Sequence, residues 1–353
     1  MRKHLEKIRR FVSNDIGIDL GTANTLVYVR DKGIIINEPS VVAVNQKTGQ
    51  VVAVGTQAKN MLGRTPLHIQ AVRPLVGGVI SDFEVTEEMI AHLIRRAEEG
   101  NRKILGPRVL VGIPCGITNV EARAVRDATK NNVAREVLII EQPMAAAIGI
   151  RMPVGEPVGN MIIDIGGGTT DIAVISLGGI VKSKTLKVAG DRLNEDIISY
   201  IRNEFKILIG EKTAENIKIA IGSITPEKAP LETSIRGRDL ITGLPREVVV
   251  TDSDIREAIA QSIAVIIDNT LEVIETTPPE IVSDIMHRGI YLTGGGALLR
   301  GLPEILSEQL KTPVFVSEDP LTAVARGTGV VLENLENYKD ILIEHDNALP
   351  PTN

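Results

Sequence analysis

The chain has 353 residues, more than one ordinary hydrophobic core organises, so two lobes are expected. Hydrophobic residues make up 43% and charged residues 24%, the range of a soluble globular protein, and no apolar run approaches the ~20 residues of a membrane span. A net charge of −6, no Trp, four Phe and four Tyr argue against a basic nucleic-acid surface and against an aromatic platform for single strands. A single cysteine, Cys115, forms no intramolecular disulfide and reads as a small buried residue in a reducing, cytoplasmic setting. The first residues lack the apolar stretch of a secretory signal.

In residues 1–12, Leu5, Ile8, Phe11 and Val12 fall at helical spacing among Arg2, Lys3, Lys7, Arg9 and Arg10. This is the pattern of a basic amphipathic helix that lies on an anionic membrane surface, or else of a solvated terminus. Ile16–Leu20 and Thr25–Val29 are rich in β-branched residues and flank Gly21-Thr22-Ala23-Asn24, which predicts a hairpin. Ser40–Val44 and Gln50–Val54 repeat that pattern across Lys47-Thr48-Gly49. Residues 86–99 are expected to be helical with Thr86 as N-cap, Val109–Ile113 a strand, and Asn119–Asn131 a helix. Glu141 ends the apolar strand Ile139-Ile140 and precedes Gln142-Pro143-Met144-Ala145-Ala146-Ala147, an Ala-rich helix with Pro near its start.

An internal echo follows. Ile16-Gly17-Ile18-Asp19-Leu20-Gly21-Thr22 is answered by Ile162-Ile163-Asp164-Ile165-Gly166-Gly167-Gly168-Thr169-Thr170-Asp171. Each is a strand, an Asp, a glycine turn with Thr and a second strand, which suggests two lobes with one core design and a shared site. Ile290-Tyr291-Leu292-Thr293 then meets Gly294-Gly295-Gly296-Ala297-Leu298 and opens a helix. Residues after about 335 are polar and read as a loose tail, ending in Leu349-Pro350-Pro351-Thr352-Asn353.

Glycine turns allow close approach of a phosphate to backbone N–H groups. The turns after Asp19 and Asp164 fit that need from two sides. Two carboxylates beside a polyphosphate suit Mg²⁺, which keeps several waters, so Asp19 and Asp164 are metal candidates; each could instead simply bond its own turn. Glu141 and Asp171 are candidates to align a hydrolytic water, although Glu141 also suits a helix N-terminus. No G-x-x-x-x-G-K-[ST] loop occurs, and no G-x-G-x-x-G joins a strand to a helix.

These turns resemble the two phosphate motifs and the adenosine motif of the actin superfamily, which also holds DnaK-type chaperones and sugar kinases. Asn37-Glu38-Pro39-Ser40-Val41-Val42-Ala43, Met61-Leu62-Gly63-Arg64-Thr65-Pro66, Gly210-Glu211-Lys212-Thr213-Ala214-Glu215 and Ser234-Ile235-Arg236-Gly237-Arg238-Asp239 resemble the MreB/Mbl family of bacterial actins, from about residue 13 to 335. The resemblance implies an α/β, two-lobed actin-like fold: duplicated ribonuclease-H-like cores with two smaller inserted subdomains around a nucleotide cleft. Lobe I would span 13–155 plus about 320–340, with an insert at about 33–80. Lobe II would span 156–319, with an insert at about 188–248, before a flexible tail at 341–353.

It further implies that ATP or ADP with Mg²⁺ is held by Gly21, Thr22, Ala23 and Asn24 from one lobe and Gly166, Gly167 and Gly168 from the other. Gly190 and Asp191, Glu215-Asn216-Ile217-Lys218 and Gly294-Gly295-Gly296-Ala297-Leu298 would also bind the nucleotide, with Glu215 and Lys218 flanking the adenine together with Gly294 to Leu298. Glu141 would orient the attacking water, helped by Thr169 or Asp171. The family assembles into ATP-dependent filaments beneath the membrane that organise wall synthesis and maintain rod shape. The implied partners are therefore further copies of the chain, the inner face of the cytoplasmic membrane reached through the N-terminal helix, and the cell-wall elongation machinery. Two departures stand out. Asp171 occupies a position that is more often Glu in MreB and Asp in Mbl. Lys103-Ile104-Leu105-Gly106 carries only an aliphatic pair where many relatives have a Leu-Phe membrane loop, which shifts attachment toward residues 1–12. A sugar kinase would need a substrate insert, and a chaperone a further domain after residue 335.

Overall fold

The computed structural model describes residues 13–100, 105–131, 133–226 and 228–343. The expected N-terminal helix lies outside these residues, as do Lys103 and Ile104 of the segment where many relatives have a membrane loop. The first β-branched runs form an antiparallel hairpin, β1 (Asp15–Leu20) and β2 (Asn24–Val29), with Asp19 opposite Leu26. After β3 (Gly33–Pro39), the chain makes an insert of β4 (Val42–Asn45), β5 (Val51–Val54), α1 (Thr56–Met61) and β6 (Ile69–Val72). A short hairpin follows, β7 (Leu75–Val76) and β8 (Val79–Ile80). Then come α2 (Phe83–Ala97), β9 (Arg108–Ile113), α3 (Asn119–Lys130), β10 (Glu136–Glu141) and α4 (Gln142–Gly149).

The second half begins with β11 (Asn160–Ile165), β12 (Thr170–Ser176) and β13 (Gly179–Leu186). Its insert holds α5 (Gly190–Glu204), β14 (Ile207–Leu208), α6 (Glu211–Ile221), β15 (Glu232–Asp239) and β16 (Pro245–Thr251). α7 (Asp252–Glu275), α8 (Pro279–Arg288), β17 (Ile290–Thr293), a 3-10 turn at Gly295–Leu298, α9 (Leu302–Leu310), β18 (Val314–Val316) and α10 (Ala323–Glu333) complete it.

One sheet runs β10-β9-β1-β2-β3 and the other β18-β17-β11-β12-β13. In both, the first two pairings are parallel and the last two antiparallel. The echo read at Asp19 and Asp164 therefore extends to whole sheets: β1 corresponds to β11, and the two acids occupy the same place in each.

The two halves meet through helices. α10 follows the last strand of the second sheet but packs on β1, β2 and β9 of the first, while α4 follows β10 and packs on β11 and β12. Together they form an apolar cluster with Leu110 and Ile140 of one sheet and Ile162, Ala173 and Ile175 of the other. The helices touch backbone to backbone. A Cβ added at Gly327 would lie 1.7 Å from the Ala145 carbonyl oxygen, and one at Gly149 would lie 2.0 Å from that of Ala323.

Two expectations change. Helix α2 starts three residues early because Asp82, not Thr86, is the cap. The Asp82 carboxylate accepts the Val85 N–H at 3.1 Å, and the Thr86 hydroxyl donates to the Asp82 carbonyl at 2.6 Å. The tail expected from about 335, and set at 341–353, is not loose over residues 335–343. Leu335–Asn337 and Lys339–Ile341 form 3-10 turns, Leu342 and Ile343 are buried, and the Ile343 N–H donates to the Ile139 carbonyl at 2.9 Å. The apolar run Ile341-Leu342-Ile343 outweighs its polar surroundings. Residues from 344 onward lie outside the described set.

Gly327→Ala sets two effects against each other. Helix propensity favours Ala by about 1 kcal/mol, but overlap with a backbone carbonyl at 1.7 Å forces the helices apart, at a cost of about 1–3 kcal/mol or more. We expect a lower unfolding midpoint for Gly327→Ala and little change for Gly155→Ala, where an added Cβ meets nothing within 4 Å. An unchanged midpoint for Gly327→Ala would show that the helix contact has slack.

Candidate nucleotide site

The ends of β1 and β11 point into one cleft of about 560 Å³ between the two sheets. The turn after β1 is tight: a Cβ at Gly21 would stand 2.5 Å from the Asn24 carbonyl oxygen. The turn after β11 closes with the Gly166 N–H donating to the Thr169 carbonyl at 2.8 Å. The two turns meet face to face. A Cβ at Gly167 would lie 2.5 Å from Ala23 Cβ, and one at Gly168 would lie 2.4 Å from Thr22 Oγ1. The carbonyls of Gly166 and Gly167 accept the N–H groups of Gly190 and Asp191 at 3.1 and 2.8 Å, which caps α5 in place of a side chain. Gly167, Gly168 and Thr169 carry the turn's other backbone N–H groups.

Gly21, Thr22, Ala23, Asn24, Gly166, Gly167, Gly168 and Thr169 all line the cleft, as do Gly190, Asp191, Glu215 and Lys218. Gly294, Gly295, Gly296 and Leu298 form another stretch of wall. Gly294 has φ +77°, and a Cβ there would lie 2.5 Å from Asp164 Oδ1, so only glycine lets this turn pass the acid. Ala297 is buried behind the turn, and Asn216 and Ile217 are not part of the wall. Helix geometry explains the last two: Glu215, Lys218, Ile219 and Gly222 share one face of α6, while Ile217 turns into the core.

Asp19, Asp164 and Asp171 all line the cleft. Burial raises the Asp19 carboxyl to about 6, against a hydrogen bond from Gln142 that lowers it. Burial also pushes Asp164 well above the ordinary carboxylate range, with further upward pressure from the charges of Asp171 and Asp19. Asp171, directly opposite Asp164 across the β11–β12 ladder, is raised to about 6 by burial. It accepts the Thr185 hydroxyl at 2.5 Å and the Cys115 N–H at 3.1 Å. Mutually repelling buried carboxylates are the setting that a bound cation relieves. Among the described residues no cluster of three or more His, Cys, Asp or Glu side chains could hold a metal. Such a donor set fits a hard, largely hydrated ion such as Mg²⁺ rather than a caged transition metal.

The pair Glu141-Gln142 separates in space. Gln142 lines the cleft and its Nε2 donates to Asp19 Oδ1 at 3.0 Å. Glu141 is absent from the wall; its carboxylate accepts the buried Cys115 thiol, and burial raises its pKa. Cys115 is buried, as its small apolar character suggested. Sequence reasoning also missed Asn37, Gly78, Asn194 and Ile219. Asn37 accepts the Asn24 amide at 2.8 Å, and the Gly78 N–H donates to Thr22 Oγ1 at 3.0 Å. Asn194 lies one helical turn after Gly190, on the same face, and its buried Oδ1 lacks a protein partner. Ile219 lies one turn after Glu215. Helical spacing could have found these last two.

Equivalent sheets joined by crossed helices, with twin glycine turns meeting over buried acids, define a two-lobed protein of the actin type. A family profile described as MreB/Mbl protein matches residues 13–340, and the chain belongs to that family. It is 51% identical to the cell shape-determining protein Mbl of Bacillus subtilis (strain 168) over 326 residues, 92% of this chain and 97% of that protein. It is 50% identical to the cell shape-determining protein MreB of Escherichia coli (strain K12) over 338 residues, 95% of this chain and 97% of that one. Among solved structures it resembles MreB5 of Spiroplasma citri bound to ADP, with a TM-score of 0.87 and 40% identity, covering 92% of this chain and 99% of the other.

The raised acids make a prediction with a definite sign. A carboxyl whose pKa rises from 3.8 to about 6 on folding, as for Asp19 and Asp171, contributes stability that is complete below about pH 4. That contribution is lost as pH rises through about 6. Asp164 shifts in the same direction. In metal- and nucleotide-free protein, Asp164→Asn should therefore raise the melting temperature relative to wild type more at about pH 8 than at about pH 4. An equal gain at both, or a loss at about pH 8, would contradict the electrostatic reading.

Proposed function

We propose that the chain is an ATP-dependent cytoskeletal filament protein that binds and slowly hydrolyses ATP in the cleft. The contact that carries this reading is the meeting of the two glycine turns, Gly167 against Ala23 and Gly168 against Thr22. A polyphosphate placed there is held by both lobes at once, so its terminal phosphate is felt on both sides of the molecule. The relative from Spiroplasma citri that was solved with ADP was also solved with AMPPNP, which supports the nucleotide assignment.

The residues divide the work. Thr22 and the N–H groups of Gly167 and Gly168 supply donors to the phosphates. Leu298 and Ile219, both exposed on the wall, provide apolar surface for the base. Asp19 and Asp164 would hold Mg²⁺ through its waters, and the ion would neutralise charge on the transferring phosphoryl group. Gln142 gives its Nε2 hydrogen to Asp19, which leaves Oε1 to accept from and orient a water. The water-orienting role expected of Glu141 thus passes to its neighbour. Asp171, with its carboxylate fixed by Cys115 and Thr185, and Thr169 complete the polar wall.

Assembly beneath the cytoplasmic membrane, attachment through residues 1–12 and service to cell-wall synthesis and rod shape complete the reading. Its support is family membership and the cell-shape role in the names of Mbl and MreB. A single amphipathic helix binds membrane reversibly, and many copies along a filament would make attachment firm.

Gln142→Ala should bind ATP within a few-fold of wild type but release phosphate more slowly, by on the order of 10²-fold, with a smaller loss for Glu141→Ala. The reverse order in a phosphate-release assay would return the role to Glu141. Sedimentation with ATP and Mg²⁺, with and without anionic liposomes, tests the larger claim. A nucleotide-dependent pellet enhanced by lipid is expected. A protein that stays soluble at every concentration while consuming ATP with a small molecule would point to a kinase.

A further inference from the structure

The mouth of the cleft is crossed by ion pairs that the phosphate site does not require. Lys59 on α1, in the first lobe's insert, pairs with Glu215 on α6, in the second lobe's insert, at 3.2 Å. Arg73, just after β6, reaches Glu211 at the start of α6 at 2.5 Å and Asp191 at the start of α5 at 3.7 Å. Every bond in this set joins a cation of one lobe to an acid of the other. Lys218 stands apart: it donates to the Gly190 carbonyl within its own lobe.

We propose that Lys59 and Arg73 are positioning residues that latch the two inserts over the bound nucleotide and set the rate of its release. This rests on the nucleotide reading above. The sign of the charges supports it. Asp191, Glu211 and Glu215 would present three carboxylates to an entering polyphosphate, and the facing cations neutralise them as they close the mouth.

The strength of the pairs supports it too. Their side chains are 28–44% exposed, so each pair is weak and screened by salt. Such contacts hold a closed state yet allow it to open, unlike the packed glycine contact between α4 and α10. Glu215 and Asp191 belong both to the cleft wall and to the latch, so occupancy of the cleft and closure of the mouth are linked through the same side chains.

The test is release of a fluorescent N-methylanthraniloyl-ADP, chased with excess unlabelled ATP and Mg²⁺ in a stopped-flow instrument at low and high KCl. Lys59→Gln and Arg73→Gln should each speed release about two- to fivefold, and the pair of changes together about tenfold. Wild-type release should quicken with salt, and release from the double variant should not. Arg73→Glu should release faster still, and adding Glu211→Arg should restore release toward wild type, which a merely structural role would not do. Unchanged release and salt dependence, or a swap no closer to wild type than Arg73→Glu alone, would overturn the latch while leaving the nucleotide site intact. If wild type binds no nucleotide, the functional reading fails, and the latch is tested by the distance between spin labels at Leu67→Cys and Ile241→Cys. Both positions are exposed and lie on opposite inserts. A longer distance at high salt and in the double variant would support the latch, and a constant distance would overturn it.

Discussion

The contact between α4 and α10 is the constraint on which the site depends. Each helix follows the last strand of one sheet and packs on the other, and the two cross where Gly149 and Gly327 let backbone meet backbone. Close packing of this kind transmits displacement rather than absorbing it. Two sheets of the same topology are thereby held with their equivalent strand ends, those bearing Asp19 and Asp164, facing one space. A larger residue at either glycine would separate the sheets and pull the twin turns apart.

Across the cleft the interactions change character from base to mouth. At the base lie tight backbone packing and buried carboxylates, whose raised pKa values record a charge held in poor solvent. At the mouth lie half-exposed ion pairs that salt can loosen. A molecule that must keep a nucleotide through hydrolysis and later exchange it benefits from a firm base and a yielding rim. In the proposed function the base would position phosphate, metal and water, and in the proposed latch the rim would govern passage.

Much of this was legible in the sequence where local chemistry dictates residue type. The hairpin turns show because only glycine allows Gly167 and Gly168 to touch Ala23 and Thr22, and the short β-branched runs on either side are apolar enough to read as buried strands. The duplication shows because the same demand is met twice. What stayed hidden depends on direction in space. Glu141 and Gln142 are adjacent where a strand becomes a helix, and only the geometry of that junction turns Gln142 into the cleft and Glu141 toward Cys115. Asn216 and Ile217 sit beside true wall residues in sequence but on other faces of α6. Lys59 and Arg73 carry no local sign of their partners, which lie more than a hundred residues away in the other lobe. The cap at Asp82 was overlooked because Thr86 is also a good capping residue, and one backbone bond decided between them.

The central claim is that one nucleotide is gripped from both lobes at once. Hydrogen–deuterium exchange on the full chain, with and without ATP and Mg²⁺, tests it most directly. The account predicts that exchange slows together in the turn at Gly21–Asn24 and in the turn at Gly166–Thr169, with the same dependence on nucleotide concentration. Protection confined to one turn, or absent from both while ATP is demonstrably bound, would contradict it.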